Sequence, residues 1–336
     1  MRLDTFDPHS PGHIAAATGI WNAACGADLS ISERFMRYNT DPAFWRPAEG
    51  KWHAGRVAVL DGRAAGFVLA SVLKEPYAAA PYGGHLDAIA VLPEYQRRGI
   101  GRALMGWAEG WMRAQGCERF VPGSSFRTFV PGPPAELGTQ AFFQRLGYAL
   151  NTGYKCVDMA HDLAEYATPP TSTKAKSVEA RPARPEDADA LLGFLKREFP
   201  GGWYYECVEL LKAGGRVEDY VLLWSERGVD GCLLVTFEDS LRPLDRFYPH
   251  RLQRPWGQLG AVGISADCRG QGYGAVMMDG ALRYLKSRGV RGCVIDWLVI
   301  VDFYAKLGFQ VYRAYDMLSK DDRRQTTDDG QQTTDT

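Results

Sequence analysis

The sequence predicts an α/β fold of the α+β type that is built twice in one chain. Two glycine-rich turns, QRRGIG (96–101) and RGQGYG (269–274), each follow an apolar run and precede a segment with apolar residues at helical spacing. Each turn is followed later by a matching segment, FFQRLGY (142–148) or FYAKLGF (303–309). A pattern that recurs in the same order indicates a duplicated domain.

In the first copy, the periodicity of apolar residues predicts helices and strands in a definite order. The predicted elements are helices at IAAATGIWNAA and around ERFMRYN, a strand pair RVAVLDGRAAGFVLASVL turning at Asp61 and Gly62, and the strand LDAIAVL. The first glycine-rich turn then opens the helix RALMGWAEGWMRAQG, which ends on Gly116. We expect the extra residues of this copy in the Pro- and Gly-rich loop VPGSSFRTFVPGPPAELG (121–138).

The second copy repeats this order. Its predicted elements are the helices DADALLGFLKREF and YYECVELLKAG, the strand pair YVLLWSERGVDGCLLVTF, the strand LGAVGIS, the helix AVMMDGALRYLKSRG, the buried strand CVIDWLVI and the short helix VDFYAKLG. A last strand closes each copy, at YKCVDMAHDL and VYRAYDML respectively. We therefore expect each half to contain its own complete set of elements.

Composition agrees with two globular domains. A chain of 336 residues exceeds one ordinary core, because domains average roughly 150 residues. The stretch around ATPPTSTKAK lacks apolar periodicity and predicts a linker, and the polar C-terminal residues predict disorder. The expected boundaries are an N-terminal domain at 1–166, a linker at 167–177, a C-terminal domain at 178–319 and a disordered tail at 320–336.

Charge and cysteine usage exclude several classes of partner. A net charge of −1 provides no field that attracts nucleic acid or an acidic membrane. The seven cysteines form no CxxC pair, so we expect buried thiols, no metal site and a reducing compartment. The N-terminus does not resemble a signal peptide, and no apolar run approaches the ~20 residues that cross a bilayer. We therefore expect a cytoplasmic protein, as a monomer or homodimer.

The glycine-rich turns have a chemistry of their own. Backbone N–H groups left free at a helix N-terminus bind phosphate or pyrophosphate, and glycine lets a ligand approach the main chain. Neither turn matches a P-loop or the GxGxxG dinucleotide fingerprint. One such turn alone is also compatible with ordinary helix–strand packing. Two turns with the same [QR]xxGxG spacing, each followed by FxxLG[YF], favour a ligand site.

This combination of motifs resembles the GNAT superfamily of N-acetyltransferases, and the whole chain resembles a tandem GNAT protein. The resemblance implies two GNAT folds, each a mixed, mostly antiparallel sheet flanked by helices. It also implies acetyl-CoA as acyl donor, with its pyrophosphate on the turn and its pantetheine arm paired beside the preceding strand. The implied cofactor-binding residues are Ile89, Ala90, Val91, Arg97, Arg98, Gly99, Ile100, Gly101, Arg102, Val262, Gly263, Ile264, Arg269, Gly270, Gln271, Gly272, Tyr273, Gly274 and Ala275.

The same resemblance points to the second half for catalysis. In GNAT enzymes a tyrosine of the FYxxLGF helix commonly protonates the leaving thiolate, and Tyr304 matches that position, whereas the first half has Phe143 there. Aromatic packing of this helix on the sheet is the alternative role for Tyr304. Asp296 is an acid in an otherwise apolar strand. A buried carboxylate costs free energy unless it has a partner, so Asp296 is a site candidate and the expected base.

Other acids remain open as the base. Glu238 and Asp239 follow a strand, although a surface turn explains them better than a catalytic role does. In the first half, Asp87 lies in the strand LDAIAVL near His85 and Arg127, and could keep that half active because water can also protonate a thiolate. The cluster GGWYYE (201–206) lies where the family's early helices line the acceptor groove, although core packing is as good an explanation.

Three functions are compatible with these observations. The first is an N-acetyltransferase that moves an acetyl group directly, without metal, from acetyl-CoA to a primary amine of a small molecule such as an amino sugar. The second is an acyl-CoA-binding or sensing protein in which one or both GNAT domains are catalytically degenerate. The third is a nucleotide-binding module. The pair Tyr304 and Asp296 favours the first.

Overall fold

A computed structural model describes residues 1–41, 53–74, 82–126, 128–169 and 177–321. The first half contains helices α1 (Pro11–Cys25), α2 (Glu33–Thr40), α3 (Ile100–Ala114) and α4 (Gln140–Gln144), and strands β1 (Arg2–Thr5), β2 (His53–Leu60), β3 (Arg63–Val72), β4 (Gly83–Val91), β5 (Arg119–Pro122), β6 (Ala149–Leu150) and β7 (Cys156–Asp162).

The second half repeats this succession of elements. It contains helices α5 (Ala188–Glu198), α6 (Gly202–Lys212), α7 (Tyr273–Ser287) and α8 (Val301–Ala305), and strands β8 (Glu179–Pro182), β9 (Tyr220–Ser225), β10 (Gly228–Phe237), β11 (Trp256–Ile264), β12 (Gly292–Leu298), β13 (Gln310–Tyr315) and β14 (Leu318–Asp321). Of the described helices, none has the length and apolar character to span a membrane.

The strands form two seven-stranded sheets. Their orders are β1-β2-β3-β4-β5-β14-β6 and β13-β7-β12-β11-β10-β9-β8. In each sheet one pair is parallel, β4 with β5 and β11 with β12, and the other pairs between described strands are antiparallel. The predicted class, two mixed and mostly antiparallel sheets flanked by helices, is confirmed.

The two halves exchange a strand, which the sequence did not predict. Strand β7 of the first half lies between β12 and β13, and β14, the last described strand of the second half, lies between β5 and β6. The expectation that each half closes its own sheet is therefore wrong, because alternation along a strand predicts a buried face but not which sheet edge accepts it. Lys320 and Asp321 belong to β14, where they pair with Phe120 and Arg119, so they are not part of a disordered tail.

The remaining domain boundaries stay a prediction. Most of the expected linker (170–176) and the tail beyond Asp321 lie outside the described residues.

The helix after each glycine-rich turn packs on its own sheet. In the first half Leu104, Ala108 and Met112 of α3 are fully buried against the sheet, four or eight residues apart on one face. In the second half Met277, Ala281 and Leu285 of α7 do the same. This packing fixes the N-terminus of each helix beside the end of the preceding strand.

In both halves the parallel pair separates before the preceding strand ends. Pairing between β4 and β5 stops at Leu86 opposite Pro122, while β4 continues to Val91. Pairing between β11 and β12 stops at Leu259 opposite Ile295, while β11 continues to Ile264. Each sheet therefore has a fork (residues 86–91 with 122–123, and 259–264 with 295–296) just before its glycine-rich turn.

The strand exchange makes the stability of the first sheet depend on the C-terminal segment. Leu318 of β14 is 2% exposed within the first-half core, so Leu318→Ala should lower the free energy of unfolding by about 2–5 kcal/mol in denaturant titrations. Amide exchange should accelerate in Arg119 and Phe120, which pair with β14. Val311→Ala, at a site 56% exposed on β13, is the control and should cost less than about 1 kcal/mol. Equal losses in both variants would contradict this role of β14.

Candidate active site

The two glycine-rich turns have closely similar backbones. Gly99 and Gly272, the residues before α3 and α7, both have left-handed conformations, with φ of 81° and 86°. Arg97 and Gly270 are also left-handed, with φ of 61° and 78°. Neither helix start has a side-chain cap, so the first backbone N–H groups and the positive end of the helix dipole face outward. Both turns can bind an anion.

A cavity of about 680 Å³ opens at the first turn. Its walls include the fork of β4 and β5, helix α1, and the loop that follows β5. Seven of the predicted cofactor-binding residues border it: Ile89, Ala90, Val91, Arg97, Gly99, Gly101 and Arg102. Ile100, the first residue of α3, is instead buried in the first-half core. Arg98 lies over the ring of Tyr95. This volume falls within the usual range for small-molecule sites.

The strand before the second turn is more covered than its counterpart in the first half. Val262 and Ile264 contact the core around α7, as Ile89 and Val91 contact the core around α3, and Tyr273 also packs there. The rings of Phe199 and Trp203 lie directly on Gly263, where an added Cβ would come within 2.5 Å of Phe199. In the first half the matching face of β4 at Ala90 borders the cavity.

The other predicted residues of the second turn make local contacts. Arg269 donates to the carbonyl of Ile264 at 3.3 Å, and Gln271 donates to that of Asp267 at 2.9 Å. The amide of Ala275 donates to the carbonyl of Gly272 at 3.1 Å. Gly274 lies against Phe303 just as Gly101 lies against Phe142, each with 3.3 Å between the ring and an added Cβ.

Asp87 lies at the fork of the first half and borders the cavity. Its carboxylate is 3% exposed and accepts hydrogen bonds from Ser71, at 2.7 Å, and from Ser125. Its backbone occupies an irregularity of the β3–β4 pairing, where Leu69 is opposite Ala88 and Ala70 is opposite Leu86. The two hydroxyl groups hold this buried carboxylate in a fixed position.

The neighbours of Asp87 are mainly structural. His85 Nδ1 lies 3.0 Å from the carbonyl oxygen of Gly123, and burial lowers the pKa of His85. Phe143 is 4% exposed, borders the cavity and contacts Phe142 and Tyr148 edge-on. Arg127 lies outside the described residues. In the first half, Asp87 is therefore the acid best placed to face a substrate.

Tyr304 and Asp296 lie near one another in the second half. Tyr304 is 7% exposed, and its ring packs against Phe303 and Phe309. Burial, with a smaller contribution from the charge of Asp296, raises the pKa of Tyr304 to about 12. Asp296 accepts a hydrogen bond from Gln258 at 2.7 Å. Burial raises the pKa of Asp296, and Arg242 and Arg246 oppose that effect.

The second fork has glycine where the first has Asp87. Gly260 follows Leu259 at the last paired position, as Asp87 follows Leu86. A Cβ at Gly260 would lie 2.6 Å from Gln258 Nε2, 3.4 Å from Asp296 Oδ1 and 3.6 Å from Arg242 Nη2. Arg242 also pairs with Glu206 at 2.6 Å. The second fork therefore carries an ion network in place of a carboxylate held by hydroxyls.

The alternative acids lie in ion pairs away from both turns. Glu238 accepts from the backbone N–H of Trp256 at 3.1 Å, and the exposed Asp239 pairs with Arg216 at 2.9 Å. The aromatic cluster 203–206 opens helix α6, with Trp203 at 36% exposure.

One buried acid was missed from the sequence. Asp158 of β7 is 1% exposed and accepts hydrogen bonds from the Tyr315 hydroxyl and, at 2.9 Å, from the backbone N–H of Trp297, whose φ is 57°. Burial and the charge of Asp296 raise its pKa to about 7. The signal was available, because Asp158 is an acid in an apolar strand just as Asp296 is.

A family model described as acetyltransferase (GNAT) family matches residues 21–148 and 189–309. These regions cover more than half of the chain, and each contains one glycine-rich turn and its fork. The chain therefore belongs to the GNAT acetyltransferase family, in a tandem arrangement.

Particular relatives agree with this. A segment of 64 residues, 18% of this chain, is 41% identical to the aminoglycoside N(6')-acetyltransferase type 1 of Klebsiella aerogenes and spans 41% of that protein. A glucosamine N-acetyltransferase region of a fungal multi-domain GH3 β-N-acetylglucosaminidase superposes with a TM-score of 0.82 at 23% identity, over 95% of this chain and 38% of that one.

A tandem GNAT protein from the clavulanic acid biosynthesis pathway superposes with a TM-score of 0.70 at 15% identity, over 96% and 99% of the two chains. Because both structural identities are below 25%, these structures show the fold alone. The chain spans less than half the length of the Klebsiella and fungal relatives.

The raised pKa of Asp158 has a consequence for stability. A carboxyl whose pKa is about 7 when folded and 3.8 ordinarily stabilises the fold at low pH and loses that contribution as the pH rises through 7. When the pH rises from 5 to 8, the free energy of unfolding of the wild type should therefore fall by roughly 2–3 kcal/mol more than that of Asp158→Asn. Unfolding free energies at both pH values test this. Asp162→Asn is the control. Asp162 lies at the exposed end of β7 and its pKa is lowered, so this substitution should leave the fall in stability between pH 5 and 8 unchanged. The prediction is contradicted if the wild type and Asp158→Asn show the same dependence of unfolding free energy on pH.

Proposed function

We propose that the chain is an N-acetyltransferase that transfers an acetyl group from acetyl-CoA to a primary amine of a small molecule. The observation that carries this proposal is the cavity at the first glycine-rich turn, which joins an anion-binding helix start, an open strand edge and a buried carboxylate.

The cavity offers each part of acetyl-CoA a matching group. The N–H groups at the start of α3, together with Arg97 and Arg102, would bind the pyrophosphate. Beyond Asp87, whose carbonyl accepts from the N–H of Phe129, the β5-facing edge of β4 is open to the amide groups of a pantetheine arm at 89–91. This arrangement would bring the thioester to the fork, beside Asp87.

At the fork, direct transfer needs only a few groups. A neutral amine attacks the thioester carbonyl, a C–N bond forms, the C–S bond breaks, and the amine loses a proton. The Asp87 carboxylate, held by Ser71 and Ser125, is the proposed acceptor of that proton, directly or through water. Water entering the cavity would protonate the thiolate, because Phe143 carries no proton to give.

The second half supplies a second candidate for the chemistry. Tyr304, with a pKa of about 12, stays protonated at neutral pH and could serve as general acid beside Asp296. Asp296 is engaged with Gln258 and lies near Arg242, and the rings of Phe199 and Trp203 cover Gly263. These contacts favour the first half as the main site of transfer.

The acceptor class follows from chemistry and from the relatives. A carboxylate at the fork suits an amine, and the relatives that match are named for aminoglycoside and glucosamine acetylation. Amino sugars are therefore the acceptors to test first. We also propose that the enzyme is cytoplasmic, where acetyl-CoA is available. Its seven cysteines are free thiols and six of them are buried, which suits a reducing compartment.

The alternative is a protein that binds or senses acyl-CoA without transfer. It predicts acetyl-CoA binding with no CoA release across a panel of amino sugars, aminoglycosides and polyamines. Thiol release measured over that panel distinguishes the two functions.

Matched glycine variants locate acetyl-CoA. Gly101→Leu should weaken acetyl-CoA binding in the cavity at least about tenfold, because the new side chain would displace the ring of Phe142, which borders the cavity and lies 3.3 Å from an added Cβ. Leucine favours a helix more than glycine does, which offsets part of the cost of this crowding. Gly274→Leu makes the same change against Phe303 in the second turn. Calorimetry measures affinity and stoichiometry; unaltered binding by Gly101→Leu would refute the first-half site, and a stoichiometry of two would show that both turns bind.

A pair of variants separates the two catalytic candidates. Asp87→Asn should lower kcat/KM by about 10²–10⁴ without weakening acetyl-CoA binding, because the base is lost while the turn is intact. Tyr304→Phe removes only the hydroxyl and should retain most of the activity. Initial rates of CoA release for both variants give the answer, and the opposite pattern would assign the chemistry to Tyr304 and Asp296.

A further inference from the structure

We propose that Tyr248 of the second half is a positioning residue for the first-half active site. It would act by holding the described part of the loop after β5 (residues 123–126 and 128–138), which forms one wall of the cavity. The proposal rests on the proposed function, and it assigns to the second half a role that requires no acetyl-CoA there.

Tyr248 is built to make one fixed contact across the two halves. It is 1% exposed, and its hydroxyl donates a hydrogen bond of 2.8 Å to the carbonyl oxygen of Phe129. Its backbone is left-handed, with φ of 49°, and its own carbonyl accepts from the Tyr312 hydroxyl at 2.8 Å. A tyrosine held this closely on both sides can adopt few other positions.

From Phe129 the contacts continue to the proposed base. The backbone N–H of Phe129 donates to the carbonyl oxygen of Asp87 at 3.0 Å. In the same loop, Ser125 donates to the Asp87 carboxylate, and the Thr128 N–H donates to the carbonyl of Ser125. Tyr248 is therefore two hydrogen bonds from Asp87: its hydroxyl donates to Phe129, and the backbone of Phe129 donates to the backbone of Asp87.

The second half supports the same loop at further points. The Asp316 N–H donates to the carbonyl of Pro133 at 2.9 Å, and Gly132 lies so close to the Asp316 carbonyl that a Cβ would meet it at 2.8 Å. Val130 and Pro133 border the cavity directly. One wall of the cavity thus rests on the second half.

Tyr248 differs from these supports because its hydrogen bond to the loop comes from a side-chain hydroxyl, which one substitution removes while the packed ring stays. Tyr248→Phe keeps the ring and leaves the buried carbonyl of Phe129 without that donor, so the loop should shift or fluctuate. Weaker hydrogen bonding by Ser125 would disfavour the charged Asp87. A purely structural tyrosine would lower stability without these local effects.

The experiment compares Tyr248→Phe with Tyr166→Phe in the full-length protein. Tyr166 is a matched control, because it is 7% exposed and donates to Asp279 of α7 at 2.8 Å in the core of the second sheet. We expect Tyr248→Phe to lower kcat/KM for the amine about five- to tenfold, to move the acid limb of its pH profile to higher pH, and to leave the acetyl-CoA Kd within twofold.

Amide exchange of residues 128–130 supplies a readout that does not depend on activity. Exchange should accelerate in Tyr248→Phe and stay unchanged in Tyr166→Phe. Unchanged exchange, or a loss of activity equal in both variants with no shift of the pH profile, would overturn the proposal. If no amine is acetylated by the wild type, the proposed function fails, and the exchange experiment still decides whether Tyr248 holds the loop.

Discussion

The reciprocal exchange of β7 and β14 is the constraint on which the rest of the molecule depends. A strand inserted inside a sheet must satisfy hydrogen bonds on both edges, so β7 ties β12 to β13 while β14 ties β5 to β6. The two halves are thereby held in one relative position. The contacts of the cavity loop with Tyr248 and Asp316 require that fixed position, because hydrogen bonds tolerate only small displacements.

Duplication has produced two forks with the same backbone and different chemistry. Both helices begin at a left-handed glycine, and in both halves the parallel pair ends before the turn. In the first fork a carboxylate on β4 is held by two serines. In the second fork the acid is Asp296, which lies on the neighbouring strand β12. Arg242 lies beside the same glycine as Asp296 and forms an ion pair with Glu206. A buried charge that is paired in this way is less available to a substrate.

The sequence predicted the fold well because its signals were local and repeated. Apolar periodicity and two [QR]xxGxG turns predicted the elements, their order and the class of protein. They did not predict where β7 and β14 would pair, because the same alternating pattern fits the edge of either sheet. The acids in apolar strands marked Asp87 and Asp296, whereas Asp158 went unnoticed. The cavity could not be predicted, because its shape depends on the loop that follows β5, whose described side chains carry no periodic signal.

The position of β14 also affects the order of folding during synthesis. Lys320 pairs with Phe120, so the first sheet cannot be completed until nearly the whole described chain has left the ribosome. Contacts so far apart in sequence form slowly, since a long loop must close first. Until then the facing edges of β5 and β6 are unpaired and open to other strands. The domain that is made first is thus finished last, which makes the nascent N-terminal half the stage at which this chain is most exposed to misassembly.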